Sequence, residues 1–510
     1  TSMGRNKRSN RKSEFLLMDL ELLSVMAKNQ AGANYPMEEL EKLWKMILIN
    51  QFHDILPGTS IHEVYEVTKK EYEEVKEKAT ALLQDRLNIL AGSGNGITIY
   101  NTLGFDRDDI VHLGDLNAVS LRDDNGNIYP VQKTANGAIA YVKGLPAKGY
   151  KTFEIVEEDA SSKVPFTINN NNVETPFYKI TLDENGMFTS IYDKENDREV
   201  LQAGERANLL RMYEDKPIYY DNWDIDIYYT EKYWDADQVE RMEWTEIGNL
   251  RATLEIDRKI SNSTIKQKIH FYADSRRIEF ETYVDWKEHQ HLLKVHFPVN
   301  IHSDEATFDV QFGNLTRKVH TNTSWDVARF ESCGQKWIDM SEGHYGVSLL
   351  NDCKYGHSIK DANMAITLIK SGIEPNPMTD YEEHYFTYAL YPHAENWREG
   401  GTVQEAYKLN QPAYAVKGGT PGAKSSFASV NKKNVIIETI KEAEDGSGII
   451  IRMYECENAL TKAQVQLGFK ASSVKECNLI EEELNTVPLT EDGFAIEIKP
   501  YEIKTYKVCL

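Results

Sequence analysis

Apolar residues return every three or four positions from residue 13 to about 91, then every second position through most of the rest of the chain. The first period predicts helices and the second predicts strands. Phe15, Leu16, Leu20, Leu23 and Met26 mark the buried face of a first helix, from Ser13 to about Lys28, and Leu17, Leu22 and Val25 widen it. After the loop NQAGANY, Pro36 opens a second helix, where its missing N–H costs nothing. Leu40, Leu43, Trp44, Ile47 and Leu48 form its apolar set, and Pro57-Gly58 ends it. A third helix starts at Ser60, at capping-box spacing from Glu63, and buries Val64, Val67, Val75, Ala79, Leu82 and Leu83. His62 then reads as a residue of its first turn. Short links between long amphipathic helices predict a three-helix antiparallel bundle over residues 1–92.

AGSGNG at 91–96 is a break, and strand pairs around turns follow it. Asn125-Gly126 and Asn185-Gly186 are strong short hairpin signals, and IHFYADSRRIEFETYVDW is a further strand pair. With no long helix among the strands, the fold class is α+β: a helical bundle, then a large antiparallel β-sandwich with small accessory β domains. The expected divisions are a small β domain at 97–165, the sandwich at 166–430 and a C-terminal β domain at 431–510. A unit starting near Ile97 is expected to fold without the helices.

At 510 residues the chain is long enough for several cores without disulfide or metal staples. A net charge of −22 disfavours nucleic acid or an anionic membrane surface as partner. No apolar run approaches the ~18 residues a spanning helix needs. The five cysteines are widely spaced with no C-x-x-C, which favours a reducing compartment such as the cytoplasm. The glycosylation triplets at Asn262, Asn314 and Asn322 carry little weight. TSMGRNKRSNRKSEF has no apolar core, so it reads as a basic lead-in and not a secretory signal.

No serine elbow, P-loop or dinucleotide fingerprint appears. INQFHDILPGTSIHEVYE, residues 49–66, places His53 and Asp54 at a helix end before a Pro-Gly turn. Such a corner presents both side chains to a cleft, where imidazole suits zinc and carboxylate suits a sugar hydroxyl. On spacing alone, a cap beside a satisfied histidine is the commoner outcome.

QFHDILPGTS closely resembles a signature of glycoside hydrolase family 38, the α-mannosidases. RNKRSNRKSEF resembles the family's helix just upstream. ANLLRMYED, DNWDID, VDWKEHQHLLKVHFPVN, WIDMSEGHYGVSLLNDCKYG and FTYALYPH resemble its β-rich C-terminal region. The resemblance implies a galactose mutarotase-like supersandwich and one zinc ion per complete enzyme. His53 would be the zinc ligand in this chain and Asp54 a substrate contact. It further implies retaining hydrolysis of terminal α-linked mannose from glycans or mannosides. The family's H-x-D motif and its nucleophile lie in an α/β domain for which no region is seen here. His302-Ser303-Asp304 falls too late in the chain, in a β segment, to serve.

The catalytic nucleophile and acid/base are therefore expected upstream, and the chain reads as a middle and C-terminal portion, inactive alone. Its expected partners are a mannose-containing oligosaccharide or mannoside, an N-terminal catalytic domain of the same protein and a second copy in a homo-oligomer. Asn208, Asp221, Trp223, Asp352, Lys354 and Tyr355 are further substrate-binding candidates. The aromatic-acidic cluster Asp221–Asp226 suits stacking on a pyranose and hydrogen bonding to it. The alternative is a non-catalytic carbohydrate-binding or mutarotase-like β domain.

Overall fold

A computed structural model describes residues 1–160 and 163–510. Three helices come first: α1 (Gly4–Ala31), α2 (Met37–Asn50) and α3 (His62–Ala91). The first begins nine residues before the expected Ser13. Residues 5–12 carry no apolar stripe, and tertiary partners hold them helical instead. Arg5 reaches Glu382 at 2.7 Å and Lys12 reaches Asp352 at 3.0 Å. The expected capping box at Ser60 does not form, because α3 starts two residues later. The Ser60 hydroxyl donates instead to the Asp54 carbonyl at 2.9 Å.

Everything after Gly96 is antiparallel sheet, apart from a few short helical segments. The predicted turns at Asn125-Gly126 and Asn185-Gly186 each join paired strands, with the glycines at positive φ. The strand pair in IHFYADSRRIEFETYVDW also forms, between Ser263–Tyr272 and Ile278–Asp285. The largest sheet has nine strands, and Gln238–Ile247, Arg251–Ile260, Ser263–Tyr272, Ile278–Asp285, Glu383–Ala394 and Tyr345–Asn351 run side by side in it. A six-stranded sheet is built around Leu209–Glu214, His291–Pro298 and Asn363–Ser371. Leu254, Ile269, Phe280 and Leu349 from the first share one core with Leu210, Val295, Phe297 and Ile366 from the second. This is the sandwich that the alternating pattern predicted.

Two of the expected divisions meet a different arrangement. The sheet beginning at Ile97–Asn101 takes Tyr414–Lys417 as a neighbouring strand, and Lys424–Ser426 pairs with Gly149–Val156 in the same sheet. The chain returns to it after nearly three hundred residues, so it is not a contiguous 97–165 unit (positions 161–162 lie outside the described residues). The helices also lack a core of their own. Leu17, Leu20 and Leu23 of α1 sit in one cluster with Val435, Ile437, Ile451 and Val508 of the C-terminal sheets. A unit starting at Ile97 would bare that apolar face, so the strands do not stand apart from the helices as expected.

The first helix is buried on its polar side as well. Arg11 is 3% exposed. Its guanidinium donates to the Tyr355 hydroxyl at 3.0 Å, to Asn351 Oδ1 at 3.0 Å and to the Gln335 carbonyl at 3.2 Å, and it stacks on the Tyr355 ring. Asp19 accepts from Gln411 at 3.0 Å and from the Tyr414 hydroxyl at 2.8 Å. Among the described residues no helix is long and apolar enough to cross a membrane. The five cysteines are unpaired.

Arg11→Ala removes a buried cation and takes one donor each from Tyr355, Asn351 and Gln335, of which Asn351 and Gln335 keep others. It should lower stability by about 3 kcal/mol in urea unfolding, and Arg11→Lys should recover only part of the loss because it lacks the planar fork. A second expectation concerns acid. Burial pushes the His296 imidazole from 6.5 down to about 3, and the positive charges of Lys294 and Arg211 add to the effect. The unfolded chain takes up a proton below about 6.5 that the folded chain refuses. The site's contribution is therefore complete at neutral pH and falls as pH drops through that window. Nitrogen NMR should show His296 neutral at pH 5 in the folded protein.

Candidate active-site face

The corner between α2 and α3 presents His53. It is pinned from below by the start of α1. Asn6 donates to the Ile55 carbonyl at 3.2 Å, and Lys7 Nζ donates to the Leu56 and Pro57 carbonyls at 3.0 and 2.8 Å. Burial pushes Lys7 down to about 8. Gly58 sits at φ 99°, and a Cβ there would come within 2.5 Å of the Ser2 carbonyl oxygen, so only glycine lets the two segments close. The Asp54 carbonyl accepts from the Thr59 N–H, the Ser60 hydroxyl and the Tyr65 hydroxyl. The corner is rigid while the His53 side chain stays 75% exposed. Its Nε2 lies 3.5 Å from Asp54 Oδ2, and the other Asp54 oxygen accepts from Thr59 at 3.1 Å.

Opposite the corner stands the loop carrying Trp223. His53, Thr59, Asn222, Trp223, Glu331 and Lys370 line one cavity of about 340 Å³. Trp223 is 69% exposed, yet its backbone is tightly held. The buried Asp221 carboxylate accepts the Ile373 and Glu374 N–H groups at 2.9 and 2.8 Å, and Gln290 at 3.2 Å. Asn222 donates to the Thr379 hydroxyl at 2.6 Å and accepts from Ser2 at 3.1 Å. Tyr220 is held at φ 51°, a strained value for a side chain of its size, and its carbonyl accepts the Trp223 and Asp224 N–H groups. Such strain persists where surrounding bonds over-determine it, as these do. The result is an indole face held out over a cleft.

The structure brings His53 and Trp223 to one cavity, sets Asp54 beside His53 outside its lining, and gives the other candidates different work. Asp221 supports the loop and is buried under it. Asn208 is fully buried in the sandwich, donating to Gln267 at 2.7 Å and accepting from Tyr388 at 2.6 Å, so its amide has no side left for a sugar. Asp352, Lys354 and Tyr355 lie where the sandwich meets α1. Asp352 pairs with Lys12 and accepts the Thr387 N–H at 3.0 Å, and Tyr355 receives Arg11. Lys354 is buried with its ammonium 4.3 Å from the centre of the Phe386 ring and near Gly4. Glu331 and Lys370 carried no local signal, since a bend after Ser324–Ala328 and the strand Asn363–Ser371, far along the chain, deliver them. Glu331 accepts from Tyr229 at 2.6 Å and pairs with Lys294, and Lys370 pairs with Asp215.

Among the described residues no three His, Cys, Asp or Glu side chains converge to hold a metal ion. The donors at the corner are one exposed imidazole and its neighbouring carboxylate, while Asp224 and Glu331 line the cavity beyond them and Glu331 is already held by Lys294 and Tyr229. That set suits one position of a shared site and is too small to close a tetrahedral one.

Three family models match successive parts of the chain in the expected order. Residues 1–90 match the alpha mannosidase middle domain, 173–378 the glycosyl hydrolases family 38 C-terminal domain, and 434–506 the family 38 C-terminal beta sandwich domain. The chain belongs to glycoside hydrolase family 38. Within the family, Alpha-mannosidase 2C1 of Homo sapiens is 30% identical over 99% of this chain and 49% of its own length. Alpha-mannosidase G of Dictyostelium discoideum is also 30% identical, over 99% of this chain and 51% of its length. The chain thus spans about half the length of the curated relatives it matches. The crystal structure of an alpha-mannosidase from Enterococcus faecalis V583 superposes with a TM-score of 0.82 at 16% identity. It covers 99% of this chain and 67% of that one, which shows a common fold.

Asp221→Ala tests how the Trp223 loop is held. It strips acceptors from two backbone N–H groups, so amide exchange at Ile373, Glu374 and the 218–226 loop should accelerate sharply. The local cost should be about 2 kcal/mol, with little change in the sandwich.

Proposed function

We propose that this family 38 chain works as the middle and C-terminal part of an α-mannosidase that releases terminal α-linked mannose from glycans or mannosides with retention. The observation that carries the reading is the shared cavity: an exposed imidazole on a pinned corner faces an exposed indole on a strained, anchored loop. An indole face stacks on the C–H face of a pyranose, and the Asp54 carboxylate is an acceptor for a ring hydroxyl. His53 would offer its neutral nitrogen as one ligand of a zinc ion. Bound there, zinc supplies Lewis acidity toward sugar hydroxyls. The remaining ligands and the two catalytic carboxylates, which retention places about 5 Å apart, are assigned to a part of the enzyme other than this chain. By that assignment the chain alone is inactive, and its covalent partner is that catalytic part. The unpaired cysteines favour a cytoplasmic setting.

The test is the complete reading frame, expressed with zinc and assayed on an aryl α-mannoside beside its metal content. The parent should turn over substrate and retain zinc. His53→Ala should lose most of both while the fold weakens by no more than ~1–2 kcal/mol, because the side chain is solvent-facing. Asp54→Asn should keep more zinc than His53→Ala and still slow turnover. Unchanged zinc content in His53→Ala would remove the ligand assignment, and turnover by the 510-residue chain alone would remove the division of labour.

A further inference from the structure

A second cavity, of about 580 Å³, lies between α1, α2, the Gln311-Phe312 turn and the C-terminal sheets. It shares no lining residue with the His53 cavity. Its size falls within the usual range for small-molecule sites, and its position between three structural units is a common one for them.

The chemistry of its wall is distinctive. Five acidic and five basic side chains line it, so the wall as a whole is neutral. The cations are tied down: Lys336 to Asp309 at 3.0 Å, Lys441 to Glu481 at 2.9 Å, and Arg11 to Asn351 and Tyr355. The carboxyls are less committed. Glu14 is met by the amides of Gln51, at 2.7 Å, and Asn10, and Glu21 accepts from the Trp44 indole N–H at 3.0 Å. That bond also fixes the plane of the Trp44 ring, which lines the cavity beside Tyr35. No described side chain donates to the Glu438 carboxylate, although Lys148 donates to its backbone carbonyl, and burial makes the carboxyl a weaker acid than usual despite nearby Lys336 and Lys148. Burial likewise lifts Glu21 to about 7. These are acceptors held in a half-dry place with too few donors, beside fixed aromatic rings.

A charged ligand would meet opposing charges on such a wall. A neutral molecule rich in hydroxyl donors, with C–H faces to lay on aromatic rings, satisfies all of it. We propose that this cavity is a second saccharide site, one to three sugar units long, separate from the His53 face. Glu438 and Glu21 accept sugar hydroxyls there and Trp44 is the stacking platform. The proposal does not depend on the catalytic reading, because it needs only binding.

The experiment uses the 510-residue chain and three probes: methyl α-mannoside, an α-linked mannobiose and maltotriose. Saturation-transfer NMR and calorimetry report binding, and thermal melting reports folding. At least one probe should bind saturably at millimolar strength. Trp44→Ala and Glu438→Gln should each weaken it about tenfold or more, the loss of one good contact. Trp223→Ala should leave this binding unchanged. Glu438→Gln keeps shape and volume, so it remains informative if Trp44→Ala melts early. Binding lost only in Trp223→Ala would assign the sugar to the His53 face and overturn the proposal. No saturable binding of any probe up to about 20 mM, or binding unaffected by Glu438→Gln, would overturn it too.

Discussion

The rest of the molecule depends on one constraint: α1 is buried on most sides as far as Ala27, and the polar side chains it carries inward need partners. A helix immersed in this way leaves little surface in water, so its inward charged and amide side chains take partners from neighbouring units. Arg11 finds the sandwich, Asp19 finds the strand around Tyr414, Glu21 finds α2, and Lys7 finds the carbonyls of the α2–α3 corner. Each of those bonds ties a different unit to the same rod. The helices, the two-sheet core and the C-terminal sheets are thereby held in one arrangement. Apolar packing alone tolerates sliding more readily than a set of directional bonds does.

Both cavities follow from that arrangement. The His53 face exists because the first turns of α1 brace the corner from below, while the six-stranded sheet and its loops bring Asn222, Trp223 and Lys370 opposite. Neither wall forms a cleft without the other. The second cavity lies where α1, α2 and the C-terminal sheets meet around Trp44 and Tyr35. Ordering is set by buried bonds, those of Asp221 beneath the Trp223 loop and those of Arg11 in the wall of the second cavity. The exposed indole and imidazole therefore lose little further freedom when something binds.

The charges of residues 5–12 show how surface-like sequence can be interior structure. RNKRSNRK has the composition of a solvated lead-in, and composition sees only that these side chains are polar. Their burial is set by Glu382, Asn351 and Asp352, more than three hundred residues away. The same reversal explains Asp352 and Tyr355. An acid and a tyrosine in a β segment look like rim residues when read locally, yet here they receive α1.

Period and turn chemistry decided a good deal locally. Helices lie where apolar residues recur at 3.6, and hairpins lie where Asn-Gly permits positive φ, because those preferences act over a few residues. The QFHDILPGTS corner was legible for the same reason: breaker, glycine and histidine are neighbours in sequence. What only the tertiary structure decided is which polar residues meet. Trp223 reaches the His53 cavity while Asn208, fifteen residues earlier, closes a hydrogen-bond network inside the sandwich. Glu331 arrives on a bend and Lys370 on a strand, with no mark on either segment. Pairings across hundreds of residues depend on how sheets stack and where a buried helix runs, and no local period encodes that.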